Sequence, residues 1–94
     1  MALNFEWDAE KASANLRKHG VTFEEATTVF GDPLSITIPD PDHSELETRF
    51  IDLGRSHHGR LLVVAYVERD ETIRIISARQ ATRGEKSKYE EEGF

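Results

Sequence analysis

Residues 60–79 constrain the fold more than any other part of the chain. Arg60–Arg69 carries the run Leu-Leu-Val-Val-Ala-Tyr-Val, and Thr72–Arg79 follows as a second β-branched, apolar segment. Only Asp70-Glu71 separates them, room for a tight turn and nothing longer. Two neighbouring strands with apolar residues of both parities belong in the middle of a sheet. On the other side, Ser56-His57-His58-Gly59 reads as a hairpin turn, preceded by the extended stretch Glu45–Leu53. A three-stranded antiparallel meander is therefore the expected centre of the molecule.

The flanks supply helices. Leu3-Asn4-Phe5-Glu6-Trp7 alternates as a short strand with Leu3, Phe5 and Trp7 on one face. Asp8 is the N-cap of a helix over Ala9–Lys18, and Gly20 is its stop signal. Thr22, with Glu25 three residues on, is a capping box that opens a second helix over Phe23–Phe30. Phe23, Ala26, Val29 and Phe30 give that helix an apolar face, and Gly31-Asp32-Pro33 ends it. Leu34–Ile38 is a strand closed by the loop Pro39-Asp40-Pro41-Asp42. A last helix begins at Ala81 or Thr82 and runs to Tyr89 or Glu92. The order is β-α-α-β-β-β-β-α, an α+β domain over residues 1–94 with its helices mainly on one face.

Composition narrows the chemistry. The chain contains no cysteine, which excludes a disulfide scaffold, a Cys-ligated zinc site, a thiol nucleophile and an iron–sulfur cluster. The longest apolar run, Leu61–Val67, is far short of a membrane span, and the N-terminus shows no secretory h-region. The expectation is a cytoplasmic domain with no membrane partner. The net charge of −6 argues, as a total, against nucleic acid. By segment it is uneven. Residues 1–48 carry ten acids against three bases, whereas residues 49–83 carry seven bases against four acids. All seven are arginine (Arg49, Arg55, Arg60, Arg69, Arg74, Arg79, Arg83), the side chain whose planar fork fits phosphate or carboxylate.

Taken in order, the motifs resemble the BrnT family of type II toxins, with its RelE-like fold. The resemblance runs from Phe5-Glu6-Trp7-Asp8, Lys11 and Asn15 through Lys18-His19-Gly20-Val21 and Phe23-Glu24-Glu25-Ala26. Val29-Phe30 and Asp32-Pro33 follow, then His43-Ser44, Glu47-Thr48-Arg49, Gly54, Ser56 and Gly59-Arg60. It is strongest at Arg74-Ile75-Ile76-Ser77-Ala78-Arg79, and continues through Ala81-Thr82, Glu85 and Tyr89-Glu90. The resemblance implies an endoribonuclease that cuts RNA without a metal or other cofactor and slows translation and growth. It also implies a BrnA-like antitoxin with a ribbon-helix-helix part, a two-plus-two complex, and contact with promoter DNA through the antitoxin.

Metal-free cleavage of RNA needs an activated 2′-hydroxyl, a neutralised phosphate and a proton for the leaving oxygen. Arg74, Arg79, Arg49 and His19 are the candidate catalytic residues; Arg60, Glu47 and Tyr89 are candidates for holding substrate. Alternation groups Arg74 with Ile76 and Ala78 on an open face, with Ile73 and Ile75 turned to the helices. Arg74 then meets a phosphate or a cross-strand acid such as Glu68. Arg79 falls on the opposite parity, to reach the site from the strand end or to pair with an acid of the last helix. Glu47 is two residues from Arg49 on one face, as a positioning partner or an ion pair. Arg60 either cups substrate or is a solvated hairpin residue. His19 either serves the site or caps its own helix end. Tyr89, four residues after Glu85, stacks on a base, donates to phosphate or packs on the sheet.

Two other readings remain. The first is a non-catalytic module that holds a partner in an operator-binding complex, favoured if the arginines are each paired to acids. The second is a metal-dependent hydrolase. It would need ligands such as Asp40, Asp42 and His43, and no zinc spacing joins His43 to His57 and His58.

Overall fold

In the computed structural model, which describes residues 3–40 and 48–92, the meander forms as expected and two further strands extend it. The strands are β1 (Asn4–Glu6), β2 (Ile36–Pro39), β3 (Arg49–Arg55), β4 (Leu61–Arg69) and β5 (Thr72–Gln80). They form one five-stranded sheet in the order β1-β5-β4-β3-β2. All neighbours are antiparallel except β1, which lies parallel to β5 and pairs with Thr72–Arg74. Asp70 makes the β4–β5 turn at φ 52°, a left-handed position that Asp tolerates better than most residues.

The helices are α1 (Ala9–His19), α2 (Phe23–Thr27) and α3 (Arg83–Glu92). Asp8 caps α1 by accepting from the N–H groups of Glu10 and Lys11 at 2.8 and 3.2 Å. Gly20 ends α1 at φ 70°. Thr22 caps α2 as expected, through the Glu25 N–H at 3.0 Å. The second helix is shorter than its apolar face suggests: after Thr27 it tightens into a 3₁₀ turn over Thr28–Gly31. That turn closes onto β3 at Gly54. A Cβ there would meet Val29 Cγ1 at 2.7 Å and Ser35 Cβ at 3.0 Å, so only glycine fits.

Alternation along β4 divides the core in two. Leu62, Val64 and Tyr66 face α1 and α2, packing with Val21, Phe23, Ala26, Val29, Ile73, Ile75 and Ala78. Leu61 and Val63 face the other way, with Leu53 and Tyr89 of α3. The helices therefore do not share a face: α3 crosses to the far side and covers one end of it. Leu3 also departs from expectation; Phe5 and Trp7 join the core while Leu3 is left exposed.

Candidate active site

On the second sheet face, beyond the part that α3 covers, half-buried arginines gather. Cross-strand partners point to the same side of a sheet, so register decides which side chains share it. Glu6 pairs with Arg74, Arg74 with Val67, and Val67 with Arg49. These four form one row across β1, β5, β4 and β3. Arg49 and Arg74 thus flank Val67, with backbones roughly 10 Å apart at ordinary strand spacing. Arg74 Nη1 donates to Glu6 Oε2 at 2.7 Å, in a pair that stays partly solvated. The acid that meets Arg74 is thus Glu6 from β1, not Glu68, whose register partner Ile73 belongs to the helix-side core. Arg49 Nε is buried without a hydrogen-bond partner, and among the described residues Arg49 forms no ion pair. Glu47, expected beside it, lies outside the described residues, as do Asp42 and His43.

Simple alternation misplaces the end of β5. Tyr66 pairs with Ile75 and Ala65 with Ser77, so Ile76 is an extra residue bulged out of the ladder. Beyond it the parity reverses. Ala78 turns into the helix-side core, and Ser77 and Arg79 turn to the face that carries Arg74. Arg79 stands opposite Val63 there, beneath α3, and makes a two-pronged bond to Glu85 at 2.8 and 2.9 Å. Glu85 also accepts from the Thr82 N–H at 2.8 Å, which ties Arg79 to the start of α3.

The remaining candidates lie elsewhere. Arg60 grips Glu25 with two donors, Nε at 2.9 Å from Oε2 and Nη2 against Oε1, and reaches Gly20 O. Glu25 is buried and also accepts from Ser56 Oγ at 2.7 Å. This network fastens the β3–β4 hairpin to α2. The Arg60 guanidinium holds the Glu25 carboxyl at about 2, well below its ordinary 4.5. A carboxyl depressed by folding contributes stability that is complete above its unfolded value and lost as pH falls through the folded one. The expected result is a stability that declines from about pH 4.5 toward pH 2. Acid titration of Glu25→Gln, followed by circular dichroism, should show a shallower decline from a lower plateau.

Tyr89 packs in the α3-side core, and its hydroxyl donates to Asp32 Oδ2 at 2.6 Å. The Arg55 guanidinium sits 5.6 Å from its ring centroid, and these groups line a cavity of about 450 Å³ with His57. The His57 and His58 rings lie against each other, centroids 3.9 Å apart. His19 lies at the end of α1, in a separate notch beside β5 with Lys11, Lys18 and Ser77. Among the described residues, no three His, Asp or Glu side chains are grouped as metal ligands. No described helix is long and apolar enough to cross a membrane. Glu6 was not legible as a site residue. Its alternation in β1 is visible, but its place beside Arg74 rests on a parallel pairing with residues 68 positions away.

A largely antiparallel sheet with a helix pair on one face, a C-terminal helix at the edge of the other and arginines on the remainder of that second face defines a small α+β, RelE-like domain. The chain belongs to the BrnT family: the family model, described as the ribonuclease toxin BrnT of type II toxin–antitoxin systems, matches residues 7–85. That span includes His19, Arg49, Arg60, Arg74 and Arg79, and leaves Glu6 and Tyr89 outside it. Among solved structures, the crystal structure of the Brucella abortus ribonuclease toxin BrnT is similar, with a TM-score of 0.64 at 19% identity. The alignment covers 87% of this chain and 100% of that one; at this identity it is the fold that is shared. No curated protein matches the sequence significantly. Family membership implies a toxin directed at RNA and a cognate antitoxin.

Proposed function

We propose that this chain is a metal-independent endoribonuclease that cleaves RNA and so inhibits translation and growth in the cytoplasm. The observation that carries this reading is the row Glu6–Arg74–Val67–Arg49, which sets two arginines on either side of one buried valine. Two arginine forks flank Val67, and among the described residues one of them, Arg49, has no acid paired to it. A phosphodiester held between the two forks is neutralised from both sides. The 2′-hydroxyl attacks phosphorus, the P–O5′ bond breaks, and a 2′,3′-cyclic phosphate and a 5′-hydroxyl result. One proton leaves the 2′-oxygen and one reaches the 5′-oxygen. Glu6, the carboxylate set against Arg74, serves as the base; Arg79 and His19 stand further along β5 and at its edge. Binding of phosphate by Arg74 competes with a solvated ion pair of low strength.

Neutralisation falls to a BrnA-like ribbon-helix-helix antitoxin in a two-plus-two complex that contacts promoter DNA through the antitoxin. The test is incubation of the purified chain with bacterial RNA in excess chelator, with and without the neighbouring gene's product. Cleavage that survives chelation, stops with the antitoxin and spares a fully 2′-O-methylated RNA is the expected result. Intact RNA throughout would sink the proposal.

A second reading, a non-catalytic partner-holding module, is favoured by one observation. Arg60, Arg74 and Arg79 each hold an acid: Glu25, Glu6 and Glu85. Intact RNA together with a complex that still binds promoter DNA would select it.

A further inference from the structure

We infer that the RNA strand does not end at the sheet face but continues around the outer edge of β5, where Lys11, Lys18 and His19 hold a second stretch of its phosphate backbone. The inference rests on the ribonuclease reading for the identity of the polyanion.

The edge is built for this by three features. First, β1 pairs only with Thr72–Arg74, so no strand covers β5 beyond that point. Second, α1 takes the vacant place. Asn15 bonds both backbone groups of Ala78, donating to its carbonyl at 2.8 Å and accepting from its N–H at 3.1 Å. Lys11, Asn15 and Lys18 stand at i, i+4 and i+7, hence on one side of the helix. With Asn15 pointed at β5, both lysines flank that edge, and both are exposed. Third, the bulge at Ile76 turns Ser77 to the face of Arg74, yet Ser77 also lines the notch beside α1. The notch therefore shares Ser77 with the arginine face, three residues or roughly 10 Å along the strand from Arg74.

The chemistry of the notch is cationic. It encloses about 200 Å³, Lys11 and Lys18 are its charged lining, His19 adds a ring N–H, and no acid lines it. Among the described residues, none of the three forms an ion pair. Asp8 senses the charge of Lys11, but its carboxylate is engaged by two N–H groups at the helix cap. This contrasts with Arg60, Arg74 and Arg79, each of which meets an acid. In a chain of net charge −6, an unneutralised cationic notch next to the arginine row gives the strand a route that the overall field does not.

The test compares the wild type with Lys11→Gln/Lys18→Gln and, as a control of equal charge change, Lys86→Gln/Lys88→Gln on α3. The ligand is a fluorescent, fully 2′-O-methylated RNA of about 12 nucleotides, which binds without being cut, titrated across salt concentrations. Losing two phosphate contacts lowers the log–log salt slope by about 1.4, at about 0.7 per contact for single strands. We expect that drop, and a Kd raised roughly tenfold at low salt, in the Lys11/Lys18 variant and not in the control. Equal slopes in the three proteins, an equal drop in the control, or no binding by the wild type each overturn the inference. Wild-type binding with the expected lysine dependence but no cleavage of natural RNA would instead remove the ribonuclease reading and leave the path standing.

Discussion

Arg74→Ala is expected to lower the single-turnover rate of RNA cleavage by roughly 10²–10³-fold, the usual cost of deleting one donor aimed at transition-state charge. Arg49→Ala should do the same if, as proposed, the two arginines on either side of Val67 share one phosphate. Both proteins should remain folded. The Arg74–Glu6 pair is partly solvated, and such pairs contribute at most about 1 kcal/mol. Arg49 loses no ion pair at all among the described residues. Arg74→Lys should fall between, keeping the charge and losing the planar fork. Rates measured beside thermal melts decide the matter. A variant with a native melt and a wild-type rate would remove that arginine from the chemistry.

The largest stability effect is expected at Asn15. Its side chain makes three buried hydrogen bonds: to Val21 O at 3.0 Å, to Ala78 O at 2.8 Å, and from the Ala78 N–H at 3.1 Å. Asn15→Ala strands Val21 O and both backbone groups of Ala78, on the edge of β5 that β1 does not reach. Each buried group left unsatisfied costs about 1–3 kcal/mol, so the loss should be about 3 kcal/mol or more. For a domain of this size that lowers Tm by roughly 12–24 °C. Asn15→Asp is no rescue, since a carboxylate cannot donate to two carbonyls. Urea denaturation gives the number, and a loss below about 1 kcal/mol would show that water or α1 itself replaces the amide.

Local rules brought the reading of the chain a long way. The caps at Asp8, Gly20 and Thr22 and the meander over β3–β5 follow from short-range chemistry, and all appear where side-chain type and spacing place them. The site was harder. Arg60 stands in the sequence as one more strand arginine, yet its carboxylate partner is Glu25, 35 positions earlier. Glu25 itself was legible as a capping-box residue, and its N–H plays that part, while its side chain turns to Arg60 and Ser56. The bulge at Ile76 has no mark in the sequence, since Ile-Ile-Ser-Ala is ordinary strand text. One extra residue there reverses the facing of Ser77, Ala78 and Arg79, and brings Arg79 to the side that carries Arg74.

The amino-acid sequence by itself determined which segments form helices and strands, because caps, turns and periodicity act within a few residues. It also determined that the bases of the 49–83 block are all arginine, inside a chain whose total charge is −6. Only the tertiary structure decided which of those arginines share a face and which are tied to acids. That choice turns on register and pairing across the sheet: a parallel β1 that brings Glu6 to Arg74, a hairpin pinned through Arg60, a bulge that turns the end of β5. Each is a contact between residues far apart in the chain, and no local rule reaches that distance.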